Sequence, residues 1–335
     1  MNSINTNLGA MTALQALNST NSDLNETQSR IATGYRVNTA ADNAAYWSMA
    51  TTLRSDNKSL SAVSDALGLG AALVDVAYTA MNSSIDVVTE LKSKLVAARE
   101  PGVDRTKVQT EIDELQNQLR GIAASATFGG ENWLSVDTTG TGTTYSATEN
   151  VVSSFSRSSN ANGATVSVGT IAISVSAVYL FNADTGTSAN DDELGILGSS
   201  RYNIADSDTN NVARGSIDAA GTIVIASADG TGEINIDTAT DAELDDYIQA
   251  VDAALLEMTT AATDLGSSKA RIDLQTDFVS SLMDSIDRGI ASLVDADMNA
   301  ESTRLQALQT QQQLGVQALS IANSQSQNIL SLFRN

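Results

Sequence analysis

The most informative part of the sequence runs from residue 244 to residue 293 and reads LDDYIQAVDAALLEMTTAATDLGSSKARIDLQTDFVSSLMDSIDRGIASL. Apolar or small residues recur there at alternating spacings of four and three, interrupted at Lys269 and Thr276. A repeat of this kind predicts one coiled-coil helix, roughly 75 Å long at 1.5 Å per residue. Thr240 and Glu243 have the spacing of a capping box, which predicts that the helix begins beside Thr240.

Two upstream segments have the same period and are expected to pack against this helix. The first extends from Leu67 to Leu95, with one interruption at Lys92. Pro101-Gly102 then ends it, because proline cannot continue a helix. The second segment is shorter, and its apolar positions are Val108, Ile112, Leu115, Leu119 and Ile122. Three segments with one repeat predict an antiparallel helical bundle.

Residues 134–239 differ in composition from the two helical arms that flank them. They are rich in Gly, Thr, Ser and Asp, and they contain short β-branched runs at 165–168, 170–179, 221–225 and 233–237. Such runs between turn-forming residues are typical of strands. The predicted fold is therefore mainly α with a β-rich insertion: a long coiled-coil bundle formed by the N- and C-terminal arms, with a small β-rich outer domain.

The two chain ends carry narrower apolar lines than the arms. Near the N-terminus Leu17, Leu24 and Ile31 lie seven residues apart. The line at the other end includes Leu305, Leu308, Leu319, Ile329 and Phe333, with polar or glycine positions between them. One pair of such helices buries little apolar surface against its ordering entropy, so we expect the ends to fold against neighbouring copies. These eight residues are our predicted polymerisation interface, and an ordinary terminal helical hairpin is the alternative.

Charge is distributed unevenly along the chain. The net charge is -22, from 40 acidic and 18 basic residues, which disfavours nucleic acid as a partner. The charges of residues 1–40 cancel, however, and residues 298–335 carry only Glu301, Arg304 and Arg334. Nearly neutral ends favour contact between copies, while the acidic middle keeps the outer surface soluble.

Histidine and cysteine are both absent. Their absence removes Ser-His-Asp triads, thiol nucleophiles and His- or Cys-ligated metal sites, so we expect neither an enzyme nor a cofactor or metal. No apolar run of signal-peptide length precedes Arg30, and no stretch approaches the length needed to span a membrane. An exported form of this chain would need a route without a signal peptide.

Both arms contain distinctive motifs, which are Ile4-Asn-Thr-Asn7, SRIATGYRVNTAADNAA at 29–45, LGSSKARI at 265–272, DADMNAE at 295–301, QQQLGVQALSIAN at 311–323 and ILSLF at 329–333. Together these motifs resemble those of one protein family, the bacterial flagellins. Met298 stands where the family has an aromatic residue. The resemblance covers the two arms and leaves the middle unmatched.

The resemblance implies a structural subunit that self-assembles into the extracellular flagellar filament and serves swimming motility. It implies three domains: 1–43 with 296–335 as the terminal coiled coil of the inner filament core, 44–140 with 240–295 as the helical bundle of the outer tube, and 141–239 as the variable β-rich surface domain. A hook–filament junction protein, which shares the terminal helices, is the alternative. A soluble enzyme with a coiled coil for oligomerisation is another alternative, but it lacks any catalytic constellation.

The same resemblance implies a set of partners. Flagellins are secreted unfolded through the flagellar type III apparatus, with an export chaperone on the C-terminal segment. They fold beneath a filament cap and connect to hook-associated proteins. We expect these partners, together with further copies of the chain itself, and we expect neither nucleic acid nor a membrane.

Two departures from the family pattern lead to further expectations. Many flagellins have Gly-Leu where this chain has Tyr46 and Trp47. We hypothesise that this aromatic pair makes an extra contact between subunits, and packing within one subunit is the alternative.

The second departure concerns recognition by host innate immune receptors. Residues 29–50, which include Arg36 and Asp42, align with the flagellin peptide that plants detect. Val88, Glu90, Leu91 and Ser93 align with the helix that the animal flagellin receptor contacts. The family has a basic residue and, three positions on, an acidic one, where this chain has Glu90 and Ser93. The inverted charge should weaken a charge-complementary interface, so we expect weak recognition.

Overall fold

The computed structural model describes residues 7–136, 146–160, 163–182, 195–198, 225 and 234–332. The helices are α1 (Leu8–Thr33), α2 (Ala44–Ala98), α3 (Arg105–Ser125), α4 (Gly195–Gly198), α5 (Asp241–Val294) and α6 (Met298–Leu332). The strands are β1 (Thr127–Phe128), β2 (Glu131–Asn132), β3 (Ser135–Val136), β4 (Thr148–Asn160), β5 (Gly163–Ser174) and β6 (Phe181–Asn182). This confirms the predicted fold class: mainly helical arms around a strand-containing middle.

The chain divides into two compact units. The terminal unit contains the residues up to Ser59 and from Leu282 onwards, and the central unit contains Leu60–Ser281. These boundaries differ from those of the three domains expected above. That division describes the subunit within a filament, and it stays a prediction.

Helix α5 confirms the coiled-coil prediction, since its 54 residues form one uninterrupted helix. The capping box is also present. Glu243 Oε2 accepts a hydrogen bond from the backbone N–H of Thr240 at 2.5 Å, and Thr240 Oγ1 accepts one from the backbone N–H of Glu243 at 3.3 Å. All the apolar positions of the predicted repeat are buried or half-buried, which shows that the repeat marks the packed face.

Within the central unit, α2 and α5 pack antiparallel in constant register. Two ion pairs join them and a third joins α5 to the residue directly after α2, and each step forwards in the first partner is matched by an equal step backwards along α5. The pairs are Asp75–Lys269, Lys92–Asp252 and Arg99–Asp245. Two helices with the same repeat keep their apolar residues in contact along their whole length only when their register stays constant. The constant register therefore follows from the shared repeat.

Helix α3 returns antiparallel to α2, as predicted. Helix α2 ends at Ala98, and Gly102 in the following turn has a φ of 92°, a left-handed conformation that favours glycine. Ile112 and Leu119 of α3 are fully buried. They join a core whose other fully buried members include Leu67, Met81, Leu91 and Leu95.

One sequence expectation about membranes is wrong as stated. By length and composition, α2 is long and apolar enough to cross a membrane, since its most apolar 18-residue window has a mean hydropathy of 1.5. Its apolar residues follow the coiled-coil repeat, and its Asp75 and Lys92, like Arg99 directly after it, pair with α5. These contacts are those of a bundle helix.

The longest strands form an antiparallel hairpin, β4–β5, that lies against the helices of the central unit. Val151 of β4 packs over Gly70 of α2 so closely that a Cβ at Gly70 would overlap the valine methyl groups. Gln275 Nε2 of α5 donates a hydrogen bond to the carbonyl of Ser153 at 2.8 Å. These contacts fix the hairpin on the bundle.

Two predicted strand boundaries are wrong. Strand β5 ends at Ser174, because residues 175–178 turn and the N–H groups of Val178 and Tyr179 bond back to the Val175 carbonyl. Residues 234–237 form no strand. Gln109 of α3 takes the place of a neighbouring strand there, since its side chain accepts from Ile236 N at 2.7 Å and donates to the Ile234 carbonyl at 3.1 Å. Of the predicted run at 221–225, only Ile225 is described, and it lies in a bend.

Candidate self-association surface

Helices α1 and α6 of the terminal unit pack against each other in opposite directions. As residue numbers rise along α1, those of the contacting α6 residues fall. The contacts join Asn7 to the Ala322 carbonyl at 2.8 Å, Leu17 to Gly315, Asn21 to Gln312 at 2.7 Å, and Arg30 to Glu301 at 3.1 Å. The terminal helices therefore form an antiparallel pair in fixed register.

The seam of this pair is built from the predicted polymerisation residues. Leu24 and Leu308, which this register places opposite each other, are buried. Leu17, Ile31, Leu305 and Leu319 are half-buried. The two apolar lines thus face each other within one chain. Ile329 lies in α6, whereas Phe333 lies outside the described residues. Their role between copies stays a prediction.

The terminal unit also exposes large apolar side chains away from that seam. It holds ten of the nineteen large hydrophobic residues that are exposed among the described residues. The exposed fraction of these ten residues ranges from 37% to 71%. We call the set near the chain ends the end patch: Leu8, Met11, Leu14, Leu314, Val316 and Ile321. We call the other set the linker patch: Tyr46, Trp47, Met49 and Met298.

Sequence reasoning found only Tyr46 and Trp47 among these ten residues. The others were missed because we followed a single apolar line on each helix, and that line forms the intramolecular seam. Leu314 and Ile321 lie seven residues apart and off the line. A search for a second line on α6 would have found them.

Two capped helix starts position the linker patch. Asn43 Oδ1 accepts hydrogen bonds from the N–H groups of Ala45 and Tyr46, each at 3.1 Å. Asp297 Oδ1 accepts from Asn299 and Ala300 at 2.9 and 3.2 Å. These caps begin α2 and α6, and so they fix the first helical turns that carry the patch.

The two linkers that precede these caps are tied together by backbone hydrogen bonds. Tyr35 and Asp295 form a β-bridge, and the N–H groups of Arg36 and Val37 donate to the Val294 carbonyl at 2.7 and 3.2 Å. A small core of Val37, Ala50, Ile290 and Val294 lies beneath them. The linker patch therefore sits on a supported surface.

Arg36 and Asp42, the predicted receptor residues of this region, also hold the linker in place. Arg36 Nη2 donates to the Leu293 carbonyl at 2.9 Å. Asp42 Oδ2 accepts from the backbone of Thr39 at 2.8 Å, from the Thr39 hydroxyl at 3.1 Å and from the backbone of Asn38 at 3.0 Å. The backbone hydrogen bond from Thr39 is the main cause that lowers the pKa of Asp42.

The other predicted receptor residues divide between two faces of α2. Val88 and Leu91 are fully buried in the central unit, so the folded chain does not offer them to a receptor. Glu90 and Ser93 are exposed. Glu90 lies 3.8 Å from Lys94, which lies closer to Glu111 at 2.7 Å. The hydrogen bond that Lys94 donates to the Glu111 carboxylate is the main cause that raises the pKa of Lys94.

Parts of the sequence that carry the two patches have no charged side chains. Residues 8–22, 44–53 and 305–332 contain no Asp, Glu, Lys or Arg, although the whole chain has a net charge of -22. Copies that meet through these stretches avoid the repulsion that their acidic surfaces would cause. The exposed apolar surface is therefore suited to self-association.

Comparison with known proteins agrees with this surface chemistry. Residues 4–139 match the model of the bacterial flagellin N-terminal helical region, and residues 248–333 match that of the C-terminal helical region. The chain is 49% identical to Flagellin C and 45% identical to Flagellin A of Rhizobium meliloti (strain 1021). It is 43% identical to Flagellin of Brucella melitensis biotype 1, and each alignment covers all of both proteins. The chain belongs to the bacterial flagellin family, as a non-enzymatic structural subunit of the extracellular flagellar filament.

Proposed function

We propose that filament assembly by this chain is driven by burial of the apolar surface of its terminal unit. The exposed end and linker patches carry this proposal, because their ten large apolar side chains stand in water in the single chain and their burial between copies would be favourable. The neutral stretches that hold the patches allow many copies to approach one another.

Electron microscopy of filaments sheared from the cell surface, with mass spectrometry of their main component, tests this function. We expect the chain to be the abundant component along the filament length. A hook–filament junction protein, which the comparisons do not favour, would instead be scarce and confined to one end.

We further propose that the chain is exported unfolded through the flagellar type III apparatus and serves swimming motility. Alternative packings of the terminal helices along strands of subunits would give the supercoiled propeller. The C-terminal segment would bind an export chaperone, and the filament cap and hook-associated proteins would be further partners. Fusion to a stably folded domain should block secretion of this chain, whereas secretion of an equally long unfolded fusion would continue.

Weak activation of the animal flagellin receptor also belongs to this proposal. Glu90 replaces a basic residue on an exposed position, so it would repel a complementary acidic receptor surface. A reporter-cell titration should show a weak response to this chain and a stronger one to Glu90→Arg. Equal responses from the two proteins would remove the charge argument.

A further inference from the structure

We infer that three exposed methionines of the terminal unit, Met11, Met49 and Met298, are oxidation sites through which a peroxide suppresses filament assembly. This inference rests on the proposed function, because it takes assembly to bury apolar side chains of the terminal unit. It adds a chemical modification of the chain and names the class of reagent, a two-electron oxidant, that would control assembly.

The methionines of the two units differ in their exposure to solvent. Met11, Met49 and Met298 of the terminal unit have exposed fractions of 60%, 53% and 43%. Met81 and Met258 of the central unit are fully buried in its core. An oxidant in solution must reach the sulfur atom in order to react with it. The three exposed methionines should therefore be oxidised first.

The composition of the chain directs a peroxide to methionine. Cysteine is absent, so no thiol competes for the oxidant. A lone pair of the methionine sulfur takes one oxygen from hydrogen peroxide as the O–O bond breaks. The hydroxide that leaves takes up the proton of the transferred oxygen and becomes water. The sulfur is thus oxidised by two electrons, and the product, methionine sulfoxide, is polar where the thioether was apolar.

The positions of the exposed methionines make this change in polarity unfavourable for assembly. Met11 lies within residues 8–22 and Met49 within residues 44–53, two stretches without a charged side chain. Met298 lies in the first turn of α6, directly after the capping residue of that helix. Burial of an unpaired sulfoxide between copies would cost free energy, whereas burial of the thioether is favourable.

Oxidation at these exposed positions should leave the fold of the single chain intact. The small core beneath the linkers, formed by Val37, Ala50, Ile290 and Val294, contains no methionine. A sulfoxide at an exposed position remains hydrated in the monomer, so the helices should persist. The modification therefore acts on association between copies and leaves folding unchanged.

Treatment of the monomer with hydrogen peroxide, followed by removal of the peroxide, tests the inference. Peptide mass spectrometry follows all seven methionines separately, including the half-buried Met283 and Met1, which lies outside the described residues. The three exposed methionines should be oxidised faster than the two buried ones. Sedimentation should then show that the critical concentration for assembly rises by about tenfold or more. Circular dichroism should show the helical content of the untreated chain.

Matched leucine variants separate the exposed methionines from the others. Met11→Leu/Met49→Leu/Met298→Leu replaces each thioether with an apolar group of similar size that peroxide does not oxidise. This variant should assemble like the natural chain, before and after treatment. The control Met81→Leu/Met258→Leu should keep the peroxide sensitivity of the natural chain. The remaining two methionines are present in both variants, so they cannot cause a difference between them.

A reversal experiment distinguishes methionine oxidation from other damage. Two methionine sulfoxide reductases, one for each sulfoxide epimer, should restore assembly of the oxidised natural chain when dithiothreitol supplies the electrons. This arm decides the matter if the triple leucine variant does not assemble, and a reduced chain that still fails to assemble would then overturn the inference.

Three further results would overturn it. The first is equal oxidation rates at exposed and buried methionines, and the second is unchanged assembly of the oxidised natural chain. The third is a triple leucine variant that loses assembly after peroxide treatment as the natural chain does. Failure of the untreated natural chain to form filaments would instead contradict the proposed function.

Discussion

The two antiparallel helix pairs of this chain share one repeat but differ in how much they bury. The α2–α5 pair of the central unit has a continuous core with many fully buried side chains, and two ion pairs join the helices. Among the six predicted seam residues of the α1–α6 pair whose side chains the structure describes, only Leu24 and Leu308 are buried. The same period therefore serves two purposes. A deep seam stabilises one subunit, whereas a shallow one leaves apolar surface for its neighbours.

The largest expected effect separates the stabilities of the two pairs. Leu91→Ala removes a fully buried side chain from the central unit and should lower its free energy of unfolding by about 2–5 kcal/mol. Leu308→Ala, in the terminal pair, should leave the main unfolding transition of the monomer unchanged. Urea titrations followed by circular dichroism measure both values. Equal losses would show that the shallow pair is as stable as the deep one.

The next effect concerns exposed leucines of the two units. Leu314→Ser, in the end patch, should weaken association by about 1.5–3 kcal/mol, which raises the critical concentration for assembly by about ten- to a hundredfold. Leu256→Ser changes an equally exposed leucine of the central unit and should have a much smaller effect. Sedimentation of filaments at a series of concentrations gives both numbers. A larger rise in the critical concentration for Leu256→Ser than for Leu314→Ser would indicate that the interface lies in the central unit.

A pair of glycines tests how firmly the hairpin is fixed on the central unit. Gly70→Ala should destabilise the chain by about 1–3 kcal/mol, because its new methyl group would overlap Val151. Gly68→Ala is the control, since nothing lies within 4 Å of its Cβ position. Alanine there should stabilise α2 by about 0.5–1 kcal/mol. Thermal unfolding gives the change in melting temperature for each variant. Changes of the same sign in both variants would contradict this packing.

The smallest effect concerns the start of α5 and depends on pH. Thr240→Ala should cost about 0.5–2 kcal/mol through loss of the cap. The backbone hydrogen bond from Thr240 is the main cause that lowers the pKa of Glu243. Because the pKa of Glu243 is lower in the folded chain, its carboxylate contributes to the free energy of unfolding at neutral pH. This contribution is lost as the pH falls below about 4. Glu243→Gln should show a shallower acid dependence of unfolding than the natural chain.

The parts of the fold that could be predicted are those determined by residues close together in the sequence. The 3.5-residue repeat and the capping box identified α5, because both are fixed by neighbours along the chain. The first part of α2, from Ala44 to Ala66, was predicted only as part of a helical arm and without a packed face, because its apolar residues are sparser than those after Leu67. Residues 234–237 were predicted as a strand, and only the fold brings Gln109 to their backbone.

The candidate site was predictable in part for the same reason. The apolar lines at the chain ends were visible in the sequence, but their packing against each other within one chain is a tertiary contact. The surface left exposed follows only once that pairing is known. Tyr46, Trp47 and Met298 stood out because they depart from a family pattern, whereas Met49 became evident only through its exposure.

Removal of both chain ends tests most directly whether assembly depends on the terminal helices. A chain trimmed to residues 44–295 would keep α2 and α5 and lose α1 and α6. Analytical ultracentrifugation and electron microscopy of this fragment, with circular dichroism as a folding control, should find a helical monomer at concentrations where the full chain forms filaments. Long filaments built by the folded fragment would contradict the account.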